Sequence, residues 1–212
     1  GQLSAGIAHE IRNPLGSVKG SIEILEEEIT PDHPKYEFVQ IVKEETARLD
    51  SIVTEFLEFA RPPRPAFRPC SINELVESTL ILVHKETATS RIEVVKDLSA
   101  NLPLNPMDPD QIRQVLLNLF LNAVQAMPDG GILKVKSHPR GQRVIVEVAD
   151  TGVGVEEADR DRIFDPFFST KPNGTGMGLS ISHQLVENHG GMLSARVNPK
   201  QGMTFCLELP CP

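Results

Sequence analysis

The chain has 212 residues, 40% of them hydrophobic and 24% charged, with a net charge of −8; this is a globular composition and argues against a disordered chain. No apolar run approaches the ~20 residues of a membrane helix, and without a basic block the chain is a poor partner for nucleic-acid phosphates. Cys70, Cys206 and Cys211 lack metal-ligand spacing, so a disulfide framework and a zinc site are both disfavoured and a reducing compartment fits. Neither an initiator Met nor a signal-peptide pattern stands at Gly1, so the expectation is an excised fragment of a cytoplasmic region, a membrane anchor ahead of it being left open.

The first segment reads as two long helices. Leu3, Ile7, Ile11, Leu15, Val18, Ile22, Leu25 and Ile29 recur in steps of three and four, a helical seam. Thr30–Pro34 breaks it, and Phe38, Val42, Leu49, Ile52, Phe56 and Phe59 begin a second series. A loop this short makes the helices antiparallel. Two helices cannot bury both seams, so a homodimer completing a four-helix bundle is the natural inference. Residues 1–60 hold 12 acidic and 5 basic side chains, a net of −7 against −1 for the rest. Such a surface is a solvated helical face or a steering field for a basic partner.

Four of the nine residues 61–69 are proline, which marks a semi-rigid linker. The domains are therefore expected at 1–61 and 70–212, with the linker at 62–69. Ser71-Ile72-Asn73-Glu74 is a capping box that opens a helix to about Glu86. Arg91–Lys96 reads as a strand. Asp108-Pro109 starts a helix that runs to Met127. Strands follow at Ile132–Ser137 and Val144–Ala149, with a turn at Pro139-Arg140-Gly141. A helix over Gly178–Asn188 stops at Gly190-Gly191, and a hairpin of Met192–Val197 and Thr204–Leu209 turns around Gly202. The expected fold class is α+β: the helical hairpin, then a mixed sheet with helices on one face.

Four features can carry chemistry. Asp150-Thr151-Gly152-Val153-Gly154 follows a strand; alone it is as consistent with an ordinary turn as with a ligand loop. Gly174-Thr175-Gly176-Met177-Gly178 runs straight into a helix, where backbone N–H groups and the helix terminus favour phosphate. Asn118 and Asn122 share one face of an apolar helix; amide oxygens there suit Mg²⁺ beside phosphate, the bland alternative being core amides bonded to backbone. His9 lies off the apolar seam beside Glu10, a nitrogen nucleophile next to a proton acceptor. Pro14 removes the hydrogen bond to the Glu10 carbonyl and should kink the helix there. The remaining histidines read as turn, surface or capping residues: His33 and His138 in turns, His84, His183 and His189 on helices.

Together these stretches resemble the kinase core of two-component sensor histidine kinases. Ala8-His9-Glu10-Ile11-Arg12-Asn13-Pro14-Leu15 looks like the H box, Gln114–Ala123 like the N box, and Asp150–Gly154 like the G1 box. Phe164–Lys171 looks like the F box and Gly174–Leu179 like the G2 box. With Ala5-Gly6-Ile7 ahead of His9, the wording is most similar to the nitrogen-regulation branch. The resemblance implies a dimerising phosphoacceptor hairpin followed by an α/β sandwich that binds ATP, of the gyrase, Hsp90, histidine kinase and MutL type.

It also implies roles. His9 would take the γ-phosphate of ATP, Glu10 its proton, and Asn13 would orient water when the regulator is dephosphorylated. Asn122 would be the principal Mg²⁺ ligand, with Asn118 supporting metal or phosphate. Asp150 would bond the adenine amino group, and Gly152 and Gly154 would shape the pocket. Gly174, Thr175, Gly176, Met177, Gly178 and Leu179 would form the phosphate end. Residues from about Val155 to Asn173 would be a lid packed by Phe167 and Phe168, with Lys171 a candidate phosphate contact. Many family members carry Lys and an aromatic where this chain has Gln125 and Ala126, so a phosphate contact there is weaker. The implied partners are ATP, a second copy of the chain and the receiver domain of a response regulator, with no nucleic acid and no membrane contact. The rivals are an ATPase or conformational clamp without phosphohistidine, and a catalytically silent scaffold.

Overall fold

Apolar side chains at helical spacing, cut by the Pro31–Pro34 stretch, produce the hairpin seen in the computed structural model: α1 (Gln2–Glu28) and α2 (Tyr36–Ala60). The structure describes the backbone of residues 2–60, 62–156, 158–171 and 174–211, and their side chains apart from residues 2–10 and 12. The chain divides into two compact units, Gly1–Pro63 and Arg64–Pro212.

In the first unit α1 runs unbroken through Pro14. Lys43 on α2 donates to both carboxylate oxygens of Glu26 on α1, at 2.7 and 2.9 Å, and Gln40 adds a third hydrogen bond at 3.0 Å. Those donors hold the Glu26 carboxyl below its ordinary value. Among the described residues only Ile22, Val39 and Thr46 of the hairpin are buried. Ile11, Val18, Leu25, Val42, Leu49 and Phe56, all members of the two seams, stay exposed.

The second unit is built on a five-stranded mixed sheet in the order β2 (Ile92–Leu98), β4 (Gly131–Arg140), β5 (Arg143–Ala149), β7 (Met203–Pro210), β6 (Met192–Val197). Only the β2–β4 pair is parallel. Two short strands, β1 (Arg68–Cys70) and β3 (Asn105–Met107), pair separately. The end of the proline-rich stretch is thus paired strand, fixed in the second unit. α3 (Ile72–Leu82), α5 (Pro109–Ala126) and α6 (Gly178–Asn188) make the helical layer. Along α5, Ile112, Val115, Leu116, Leu119, Phe120 and Ala123 are all buried, the repeat of a helix stripe laid on a sheet. No helix among the described residues is long and apolar enough to cross a membrane.

Several expectations need correction. The helix opened by Ser71 breaks at Val83 and resumes as α4 (His84–Thr89). The hairpin turn expected at Pro139-Arg140-Gly141 sits at Gly141-Gln142, with Pro139 and Arg140 inside β4. Pro139 is tolerated because β2 stops at the Leu98–Ser137 pair, leaving β4 an edge beyond it. His138 accordingly lies in a strand. Of the surface or capping roles expected for His189 the second holds, since it caps the C-terminus of α6, and it is buried: Nδ1 lies 2.7 Å from the Leu185 carbonyl and Nε2 accepts from the Asp108 N–H at 3.0 Å.

Asp108 joins that cluster. It caps α5 through the N–H groups of Asp110 and Gln111 and accepts from the Ala66 N–H at 2.8 Å. Phe67 packs edge-on against His189, their rings 5.1 Å apart. Burial pushes the Asp108 carboxyl up, but the three backbone donors and His189 outweigh it and hold it below its ordinary value.

Candidate functional site

The polar face of α5 carries Asn118, Asn122 and Gln125, spaced four and three apart beside the apolar stripe. Asn118 donates from Nδ2 to the Ser182 hydroxyl on α6 at 2.9 Å. Asn122 donates from Nδ2 to Asn118 Oδ1 at 3.3 Å. The Asn122 carbonyl oxygen then accepts from the Lys171 ammonium at 2.9 Å, and Gln125 Oε1 accepts from the same nitrogen at 2.5 Å. Two amide oxygens therefore converge on a positive charge. Hard neutral oxygens turned toward a cation are the donor set that Mg²⁺ accepts, so the residues present fit that ion.

Asp150 lies just past the end of β5, 3% exposed. Its Oδ1 accepts from the N–H of Gly152 at 2.9 Å and of Met203 at 3.2 Å, leaving Oδ2 to accept from a ligand. The backbone around it is doubly tied: Asp150 N–H donates to the Met203 carbonyl, and Asn198 donates to the Asp150 carbonyl. Gly202 has φ +87° and packs directly on that carbonyl, so a side chain there has neither the conformation nor the space. Gly152 abuts the Ala126 carbonyl at the end of α5, and Val153 N–H bonds the same carbonyl at 3.0 Å. The DxGxG stretch is thus a loop pressed onto α5, with the carboxylate held at its base.

Burial pushes the Asp150 carboxyl above its ordinary value, opposed by its backbone donors and by the Lys171 charge. Burial pulls the Lys171 ammonium below its ordinary value, opposed by Asp150. The loop that holds Asp150 lies on the Ala126 carbonyl, one turn beyond Asn122 on α5, so the carboxylate and the amide pair flank the same end of that helix.

The glycine-rich stretch enters α6 here. Gly178 comes so close to α5 that an added Cβ would lie 2.6 Å from Asn118 Oδ1. Gly176 has φ +71° and accepts from the Phe167 N–H at 3.1 Å. Gly174 lies against the Ser169 side chain. Thr175 Oγ1 accepts from the Met177 N–H at 3.3 Å. Met177 is fully buried, so any part it takes at a ligand falls to its backbone; Leu179 is half-buried. Phe168 packs under the Arg162 guanidinium, 4.5 Å from the ring centroid, whereas Phe167 is 59% exposed with φ +66°. Gly154, at φ +72°, faces Gly202.

In the hairpin, Asn13 is exposed on α1. The side chains of His9 and Glu10 lie outside the described residues, and their backbone is helical. Sequence reasoning missed Ser182 and Asn198. Ser182 was findable: it stands four residues after Gly178, on the same face of α6. Asn198 gave no signal, because its contact to Asp150 arises only when the β6–β7 turn folds back.

Residues 107–212 match the family described as histidine kinase-, DNA gyrase B-, and HSP90-like ATPase, and residues 1–65 match the His Kinase A (phospho-acceptor) domain. The sensor histidine kinase ZraS of Escherichia coli (strain K12) is 38% identical over 210 residues, which is 99% of this chain and 45% of ZraS. The chain thus spans less than half of that relative. Full-length ShkA, crystallised with AMPPNP, superposes with a TM-score of 0.85 at 31% identity, over 99% of this chain and 45% of that one. The histidine kinase ThkA in complex with the response regulator TrrA gives 0.74 at 29% identity, over 100% and 62%.

Proposed function

The chain belongs to the histidine kinase-, DNA gyrase B-, and HSP90-like ATPase family and is a two-component histidine kinase core, and from that premise we propose that it phosphorylates His9 with ATP. The proposal includes transfer of the phosphoryl group to an aspartate of a response regulator. The observation that carries it is one end of α5, where Asn122 turns its carbonyl to a cation and the loop of the buried Asp150 carboxylate lies on the Ala126 carbonyl.

In this reading Asp150 Oδ2 accepts from the adenine amino group, while Gly152 and Gly154 let the base lie close to backbone. Lys171 leaves Asn122 and moves its charge to the phosphates. Gly174, Gly176 and Gly178 with the α6 terminus meet the same oxygens. Asn122, helped by Asn118, would hold Mg²⁺, which when bound supplies positive charge against the phosphate oxygens. A His9 ring nitrogen attacks the γ-phosphorus: a P–N bond forms, the P–O bond to ADP breaks, and Glu10 takes the ring proton. Asn13 orients water for the reverse duty, dephosphorylation of the regulator.

The exposed seams of the hairpin support a homodimer. Ala5-Gly6-Ile7 ahead of His9 supports the finer placement near the nitrogen-regulation branch. ThkA is solved with its response regulator, which supports a receiver domain as partner here. Glu26 is bound to Lys43, so regulator docking is best probed at Glu23 and Glu27, both exposed. Reversing those two charges should slow transfer and leave autophosphorylation unchanged.

The deciding experiment is incubation with magnesium and γ-labelled ATP. Label that is acid-labile, base-stable and lost in His9→Gln is the expected result. ATP hydrolysis without protein label would instead favour the clamp reading, and no nucleotide binding at all the scaffold.

A further inference from the structure

We propose that Ser182 is a positioning residue that fixes which end of the Asn122 amide faces the metal. The inference deepens the reading above and rests on it. Its basis is the direction of three consecutive hydrogen bonds. Asn118 Nδ2 donates to Ser182 Oγ at 2.9 Å, Asn122 Nδ2 donates to Asn118 Oδ1 at 3.3 Å, and Asn122 Oδ1 is left for the Lys171 ammonium at 2.9 Å.

An asparagine amide is nearly the same shape either way round but opposite in hydrogen-bonding sense. Nothing in the shape of the site keeps Asn122 from presenting N–H outward, and an N–H aimed at a cation repels it. The Lys171 ammonium, a donor only, orders the outer end here; once it moves to the phosphates, order rests on the inner end of the chain. Ser182 is 2% exposed, so its hydroxyl sees little water. Its hydroxyl supplies the acceptor that the Asn118 Nδ2 needs, which leaves Asn118 Oδ1 turned to accept from Asn122. Gly178 closes the fourth side. A Cβ there would crowd Asn118 Oδ1, and only its absence lets α6 bring Ser182 to α5. Take away the hydroxyl and Asn118 Nδ2 is left buried without an acceptor. Turning the amide over to relieve that leaves Asn118 facing Asn122 donor to donor, and Asn122 must turn as well. Partners behind a metal ligand of this kind are worth about 10- to 100-fold in metal affinity.

The test compares Ser182→Thr with Ser182→Val, equal in shape and different only in the hydroxyl. The full chain is titrated with a fluorescent ATP analogue, once with magnesium and once with a chelator, and melting temperatures are recorded alongside. The expected result is a loss of about tenfold or more in the affinity for the magnesium-nucleotide in the Val variant. The Thr variant should stay near the parent, and the chelator titrations of all three should coincide. Equal behaviour of Thr and Val variants with magnesium would overturn the proposal while leaving the kinase reading standing. A loss of the same size with and without metal would overturn it too, because it reports general damage to the pocket. Should the Val variant melt early, Ser182→Ala, which only removes an atom, carries the same comparison. If the parent protein binds no nucleotide, or binds it indifferently to magnesium, it is the underlying reading that falls.

Discussion

The two units of this chain solve the burial problem in opposite ways. In the second unit α5 lays six consecutive stripe residues, Ile112 to Ala123, fully onto the sheet. In the hairpin, seams just as regular in sequence leave Leu25, Val42, Leu49 and Phe56 between 41% and 48% exposed. Periodicity therefore reports which residues want burial, and whether burial is met depends on the number of layers available. A sheet and three helices meet it within one chain; two helices need a partner surface. The second unit is where a buried carboxylate is held.

The sharpest way to break this contrast is Asp150→Asn. The amide keeps an acceptor for Gly152 and Met203 but turns Nδ2 toward where we propose the adenine amino group binds, donor against donor. Nucleotide affinity should fall by a factor on the order of 100, as for a buried polar contact reversed. Stability should not fall with it. Burial raises the Asp150 carboxyl, so the folded state holds a proton that the unfolded chain has already released. Asp150 therefore withdraws stability as pH rises from the ordinary carboxylate range through its raised value. Asp150→Asn should flatten that part of the stability–pH curve, read by thermal melts across pH. A variant that both unfolds and stops binding would mean that the carboxylate is a structural strut.

Next in size is a matched pair in the two units. Leu116→Ala empties a fully buried site and should cost about 2–5 kcal/mol in denaturant unfolding. Leu49→Ala, at a half-exposed site, should cost under about 0.5 kcal/mol in dilute protein. Its cost should grow as concentration rises, because assembly buries the seam. A cost at Leu49 independent of concentration would remove the argument for a second copy.

Legibility in the sequence follows the same divide. The bounds of α6 and β6 are as periodicity and glycine placement set them, and α5 ends within a residue of its expected stop. Local signals suffice where cap, stripe and stop agree. They fail where the deciding contact is distant. Val83 breaks the helix after Ser71, although nothing near it in sequence calls for a stop. β1 and β3 are three residues each and exist only because they find one another. At the site, Asn118, Asn122 and Asp150 are legible as polar residues breaking apolar runs. Ser182 shows only through its spacing from Gly178, and the reach of Lys171 across to Asn122 and Gln125 is not legible. Gln125, visible as a departure from the family pattern, becomes intelligible only once Lys171 is seen beside it: the amide oxygen accepts from the ammonium, where a second lysine would repel it.

A smaller effect than that of Leu116→Ala concerns the seam between linker and core. Asp108 does two jobs with one carboxylate, capping α5 through Oδ1 and holding the Ala66 N–H through Oδ2. Asp108→Ala removes both and should cost about 1–2 kcal/mol, the upper range of a lost cap. Asp108→Asn separates the duties, because its oxygen can cap the helix while its nitrogen loses the bond to the Ala66 N–H, and should cost less. The pH dependence fixes the sign. The carboxyl sits below its ordinary value, so its contribution is present above the unfolded carboxylate range and is lost as pH falls through the depressed value. Melts of parent and Asp108→Ala should therefore converge in acid and separate toward neutral pH. A gap between the two proteins that stayed constant from acid to neutral pH would show that the capping geometry, and not the charge, anchors residues 66 and 67 to the helix that carries Asn122.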